Sequence, residues 1–233
     1  MKKSFLFLFL FGYLSMTGFA QTVQKDWCVK SFEVGLNGMF NNHCIWELEP
    51  EFFYNPVKWI GIGAGIAYSG MIGSENYGGI SADGAFRWFL SDKQVTYAFS
   101  FRPKIQWNSP HFYLDRKKEY ALSVSVCPGL IIPIPVNPFY SVDYIPNTDH
   151  LTGMVSPVRV ESVRGSQARP VYYSCGIWIN YHDDDRLKIS AGYLFSDFDY
   201  YGGLRQVRVE GKLLDLKKKR MMHTFTARIS YAF

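Results

Sequence analysis

The chain has 233 residues, 25 Lys and Arg against 20 Asp and Glu, a formal charge of +5, and 18% aromatic residues. So mild a positive excess gives no argument for a nucleic-acid partner, and no stretch reads as a membrane-spanning helix, which needs about 20 apolar residues. The four cysteines form no CxxC pair and no zinc spacing, so neither a metal nor an organic cofactor is expected.

In chain order, Lys2 and Lys3 precede an apolar run from Phe5 to Phe11, and the small residues Gly18 and Ala20 stand before Gln21. This is the order of a secretory signal peptide cut after Ala20, so residues 1–20 are expected to be removed. Export permits disulfides. Cys28 and Cys44 bracket the first strand at opposite rims, and Cys127 and Cys175 fall on opposite faces, so unpaired cysteines are expected.

From residue 30 onward the pattern is period-2. Phe32, Val34, Leu36 and Phe40 alternate with Glu33, Gly35 and Asn37; Trp46, Leu48, Phe52 and Tyr54 oppose Glu47, Glu49 and Glu51. A turn at Asn55-Pro56 leads into a Gly-rich segment with Ile60, Ile62, Ala64, Ile66 and Tyr68 on one face. Gly61, Gly63, Gly65 and Ala67 share the other, leaving room for bulky neighbours inside a small barrel. Further alternating segments run from Ile80 to Leu90, Val95 to Arg102, Tyr120 to Val126, Val171 to Ile179, Leu187 to Phe195 and Phe225 to Phe233. Each reads as a strand with one apolar face.

These segments number nine, whereas a closed bacterial barrel needs an even count. Adding Phe139 to Ile145 makes about ten strands, with eight the alternative. With ten, short turns at Asn55-Pro56, Ser91 to Gln94, Val136 to Pro138 and His182 to Arg186 share one end, and longer loops share the other.

The sign of the alternation points to lipid on the outside. Trp46, Tyr54, Tyr68, Trp88, Tyr120 and Tyr193 lie on the apolar face near strand ends, as interfacial aromatic girdles do. Glu33, Glu47 and Glu49, then Arg87, Arg102, Lys188 and Arg228, lie on the other face and are expected to form a charge network in the lumen, with Glu33 near Arg228. Glu51 and Lys104 lie on the same charged face near strand ends, with solvation there as the alternative reading. The chain stops on Phe233, in phase with Tyr231.

The terminal aromatic strand and the pattern upstream resemble small bacterial outer-membrane β-barrel proteins, of the OmpA/OmpX-like or PorT-like kind. The resemblance covers the whole mature chain in pattern, but its specific motif only the last ten or so residues. It implies an all-β, closed antiparallel transmembrane barrel over residues 30–233, after a short periplasmic segment at 21–29. It also implies outer-membrane location among lipid and lipopolysaccharide, and an insertion signal at Tyr231 and Phe233 for the barrel insertion machinery. Those families include structural, adhesive and secretion-assembly members, so a surface ligand or envelope protein is a further expected partner.

The expected function is non-enzymatic, structural or surface-binding through extracellular loops. A narrow, porin-like solute channel is the first alternative and a rim-type lipid or peptide hydrolase the second. The hydrolase reading draws on His111 with Asp115 and Asp149-His150 in outer loops, and on His223 near the last strand. No catalytic motif joins them. His182-Asp183-Asp184-Asp185 reads as a tight polar turn, without the spacing of a calcium loop. The last outer loop carries Arg205, Arg208, Lys217, Lys218, Lys219 and Arg220, a basic cluster suited to anionic saccharide.

Overall fold

Alternating residues give each long segment one apolar and one polar side, and such a ribbon lowers its free energy by pairing edge to edge until no edge remains. The computed structural model describes residues 31–72, 77–90, 97–117, 119–135, 139–147, 156–165, 169–183, 186–214, 216 and 221–233. The leader expected at 1–20, the segment 21–29, the turns at 91–94 and 136–138, and residues 149, 150 and 217–220 fall outside them.

Fifteen strands are described: β1 (Ser31–Asn41), β2 (Ile45–Val57), β3 (Ile60–Met71), β4 (Gly78–Ile80), β5 (Phe86–Leu90), β6 (Tyr97–Asn108), β7 (Phe112–Tyr113), β8 (Tyr120–Ile134), β9 (Phe139–Pro146), β10 (Arg159–Arg164), β11 (Tyr172–Asp183), β12 (Leu187–Ser196), β13 (Arg208–Val209), β14 (Lys212–Leu213) and β15 (Met222–Ala232). Eight of them form an antiparallel ring in the order β11, β12, β15, β1, β2, β3, β6, β8, closed by pairing of β8 with β11. The count is eight, not ten. The segments Ile80 to Leu90 and Phe139 to Ile145, counted as barrel strands from their alternation, pair instead with each other. They form a separate four-stranded sheet in the order β10, β9, β5, β4. Alternation records that one face is covered, without saying by what. On β9 the covered face is Tyr140, Val142 and Tyr144.

The Asn55-Pro56 turn is corrected as well. Both residues lie within β2, at a register irregularity between Tyr54 and Val57, and the chain reverses at Lys58 and Trp59. The ends of the ring differ. Ser31, Phe233, the β2–β3 turn and the β11–β12 connection share one end. Three long connections, β3 to β6, β8 to β11 and β12 to β15, share the other.

These three connections fold into a cap. The buried face of the small sheet (Leu90, Tyr140, Val142, Tyr144) packs on Tyr201, Leu204, Val207, Val209 and Leu216 from the connection before β15. A short 3-10 turn at Leu204–Gln206 and the β13–β14 hairpin shape that connection.

The glycines of β3 have a packing role. In the ring, Gly65 lies between Glu51 and Arg102, and Gly63 between Phe53 and Lys104. A Cβ at Gly65 would stand 2.8 Å from Glu49 Cγ and Cδ, and one at Gly63 would stand 2.7 Å from Phe53 Cγ. The bare backbone lets side chains from β2 and β6 meet over β3. Gly65→Val should therefore destabilise the barrel by about 1–3 kcal/mol through overpacking, read as a lower temperature at which the folded, fast-migrating band converts on gels. An unchanged midpoint would refute this packing role.

Candidate functional site: a paired-charge lumen beneath a folded cap

Every second residue of the ring points inward, and the inward set is mainly polar, around a small apolar cluster of Met39, Phe53, Cys127, Trp178 and Leu194. Glu33, Glu47, Glu49, Glu51, Arg102, Lys188 and Arg228 are all buried. Arg228, only 1% exposed, reaches from β15 to strands that do not border it. It donates to Glu51 Oε1 on β2 and to Gln106 Oε1 on β6, each at 3.0 Å, and to Asn180 Oδ1 on β11 at 3.4 Å. Its guanidinium carbon also lies 5.4 Å from the Trp178 ring centroid and 5.9 Å from that of Phe53. Gly192 faces Trp178 across the β11–β12 pair, and a Cβ there would stand 2.7 Å from the indole, so this ring too owes its place to a missing side chain.

The remaining charges pair over single intervening strands. Arg102 pairs with Glu47 and lies 3.7 Å from Glu49. Lys104 lies 2.6 Å from Glu49 and 2.8 Å from Glu51, reaching over β3. Lys188 on β12 meets Glu33 on β1 at 2.5 Å, over β15. Among the described residues this network has four carboxylates and four cations. The balance follows from the medium, because an unpaired ion in a dry interior carries a desolvation penalty of several kcal/mol.

Several expected placements change. Arg87 is not in the lumen. It lies on β5 of the cap sheet, where its Nε donates to Asn147 Oδ1 at 2.6 Å, because the segment that carries it never joins the ring. Glu33 lies close enough to Arg228 to interact with it electrostatically, but its ion pair is with Lys188, and that of Arg228 is with Glu51. Glu51 and Lys104, placed on the charged face with solvation at strand ends as the alternative, are central, because β2 and β6 run several residues farther than their turn signals suggested. Period-2 continuation from Glu49 and Arg102 is the signal that places both there. Trp178, Asn180 and Gln106 were missed, since an inward Trp or amide has no charge to mark its face.

The lumen is filled. The void between Asn37, Glu49, Lys104, Cys127 and Trp178 measures about 10 Å³, the scale of a single water. Cys127 is buried there, Cys175 is exposed on the opposite face, and Cys44, Cys127 and Cys175 are all free thiols.

The outward set is apolar. Leu36, Ile229 and Ile189 line up across β1, β15 and β12, and Phe32, Val34, Phe52, Ile62, Ile66, Phe101, Ile105, Ile177, Ile179 and Phe225 stand exposed around the ring. Among the described residues no helix is long and apolar enough to cross a membrane. A soluble barrel hides its apolar side within; this ring turns it outward over strands of 10–15 residues, enough to span a bilayer. The chain is a small outer-membrane β-barrel. The end with Ser31 and Phe233 carries the short turns, and the opposite end carries the folded cap.

No family model and no curated protein sequence matches the chain. Among solved structures, it is similar to the N-terminal β-barrel domain of Pseudomonas aeruginosa OprF, at 8% identity over 87% of this chain and 97% of that one, with a TM-score of 0.40. It is similar to a major outer membrane protein from Thermus thermophilus, at 10% identity over 88% and 100%, with a TM-score of 0.46. It is also similar to Ail, the attachment invasion locus protein of Yersinia pestis, in complex with the heparin analogue sucrose octasulfate, at 11% identity over 88% and 96%, with a TM-score of 0.34. The membrane placement stands on this barrel's own inside-out pattern.

The cap carries its own polar fastenings. Arg205 donates to Asp199 Oδ2 at 2.6 Å and to the Leu216 carbonyl at 2.8 Å. It is therefore a strut of the cap, whereas Arg208 is exposed. Tyr144 donates to Glu161 at 3.1 Å, and burial with that neighbouring carboxylate pushes its phenol up to about 12. Burial pushes Tyr140 up to about 12 as well.

Among the described residues, His111 and His223 are not brought together. His111, expected in an outer loop, lies at the end that holds Ser31 and Phe233, where its ring centroid is 4.3 Å from that of His182. The change follows from the strand count, since with eight strands the connection after β6 falls at that end. His182 Nε2 and Ser123 Oγ are 2.8 Å apart. His223 stands on the outer wall beside Tyr193 and Phe195.

Arg228→Met should cost about 3–5 kcal/mol, because it leaves Glu51 to share Lys104 with Glu49, four buried carboxylates against three cations among the described residues. The pair Arg228→Met with Glu51→Gln should recover most of that loss in a double-mutant cycle read by urea unfolding in detergent. Additive losses would show that the two groups do not interact.

Proposed function

We propose that this protein is a non-enzymatic, non-conducting surface barrel that binds through its extracellular cap. The observation that carries the reading is the cap core itself. Loops that only connect strands need no shared apolar core, whereas here three loops converge on one, as segments holding a defined surface do. Arg164, Arg208 and Lys212 are exposed on it beside Val158, Val160 and Phe139, a mixture suited to anionic saccharide or to an envelope protein. Lipopolysaccharide is the nearest ligand of that chemistry.

Against conduction stands the filled lumen, crossed by Arg228 from one wall to the other. Purified protein in planar bilayers should give no current steps above the lipid baseline, and regular unitary steps would revive the channel reading. Arg164→Ser, Arg208→Ser and Lys212→Ser combined should lower the salt concentration that elutes the protein from immobilised dextran sulfate. Failure of the wild type to bind at physiological salt would remove the saccharide reading.

The last strand supports a second element of the proposal, recognition by the barrel insertion machinery. Phe233 is 73% exposed and its ring centroid lies 5.1 Å from that of Tyr231, so both rings face outward at the closing strand. Phe233→Ala should reduce the heat-modifiable protein recovered from outer membranes several-fold while in vitro refolding stays unchanged. Equal recovery would remove Phe233 from that role.

A further inference from the structure

The wall of the barrel holds a groove at its outer rim, where β1, β15 and β12 end. It encloses about 400 Å³ between Phe40, Asn41, Asn42, Tyr193, His223 and Phe225, a volume in the range of small-ligand sites. The rim is low on the β1 side, where β1 turns into β2 through residues 42–44 alone, while the long β12–β15 connection leaves the ring on the other side.

The chemistry of the groove is sorted by depth. Phe40 pairs with Phe225, and Phe225 with Tyr193, so three rings form one row across three strands. The Tyr193 and Phe225 centroids are 5.0 Å apart, and Phe225 is 67% exposed. Two residues closer to the outside, Asn42 and His223 form the polar row. The Asn42 backbone N–H donates to the His223 carbonyl at 2.9 Å, and the His223 N–H donates to Asn42 Oδ1 at 3.2 Å. These bonds extend the β1–β15 ladder beyond its last register pair and fix the imidazole over the groove. The ring packs between Tyr193 and Phe195, at 6.0 and 5.7 Å between centroids, and its Nδ1 has no hydrogen-bond partner among the described residues.

We propose that this groove seats one molecule of the outer leaflet's phosphorylated glycolipid. An acyl chain lies against Phe40, Phe225 and Tyr193, and the sugar-phosphate end meets Asn42 and His223. The occupant follows from position. The groove is continuous with the lipid-facing wall and lies at the level where the outer leaflet passes from chain to headgroup. Its order, apolar below and hydrogen-bonding above, matches an amphiphile standing upright in that leaflet. An aqueous solute would meet exposed rings for half of its contact, and a protein partner would have to enter the membrane plane. The groove is separate from the cap surface, so binding here and binding there can fail independently.

The test uses the full mature barrel in nanodiscs containing lipid A or phosphatidylethanolamine alone, with retained lipid counted by native mass spectrometry after detergent exchange. The wild type is expected to keep one lipid A per barrel and at least fivefold less phosphatidylethanolamine. His223→Leu and Phe225→Ala should each reduce retained lipid A by about fivefold or more, while dextran sulfate binding through the cap stays unchanged. Equal retention of the two lipids by the wild type overturns the proposal, and so does full retention by both variants. Each variant is first checked for heat-modifiable migration. Should either not fold, the wild-type comparison of the two lipids decides alone.

Discussion

An ion facing the inside of a narrow barrel has no water to turn to, and the rest of this structure is arranged around that constraint. Four carboxylates and four cations share the described lumen, and each charge finds its partner over an intervening strand or across the axis. Arg228 is the extreme case. Its partners on β2, β6 and β11 include β6, which lies four places from β15 in a ring of eight and so faces it. Pairs of this kind add little net stability over apolar packing. Their effect is on specificity, because a slip of one residue in any strand would turn its charges into lipid. Register and charge pairing therefore enforce one another.

The same constraint explains the small residues. Ion pairs that reach over β3 need a floor without side chains, and Gly63 and Gly65 provide it beneath Phe53, Glu49 and Arg102. On the other side of the barrel Gly192 does the same for Trp178. Among the described residues the axis is filled from both walls, and the void beside Glu49, Lys104 and Trp178 measures about 10 Å³.

The cap shows how one pattern can serve two ends. β5 and β9 alternate as regularly as the ring strands, yet their apolar side covers a small core outside the membrane. Local pattern could not tell lipid from a neighbouring loop as the medium that covers a face. The overcount of strands and the misplaced Arg87 come from that one ambiguity. The placement of His111 follows from it too, since two strands fewer put its connection at the other end of the barrel.

The sequence by itself determined the all-β class, the inside-out orientation of the ribbons and the inward position of most of the charges. These depend on a two-residue period and on which side carries ions, both local properties. It also marked Gly61 to Gly65 as an inner face with room above it. Only the tertiary structure decided that eight strands close, that Glu33 meets Lys188 while Arg228 meets Glu51, and that three loops share a core. Each of these is a choice among partners far apart in the chain, made when ring closure fixes which inward side chains come within reach of one another. Strand edges and ion pairs are satisfied jointly, so no single segment carries the answer.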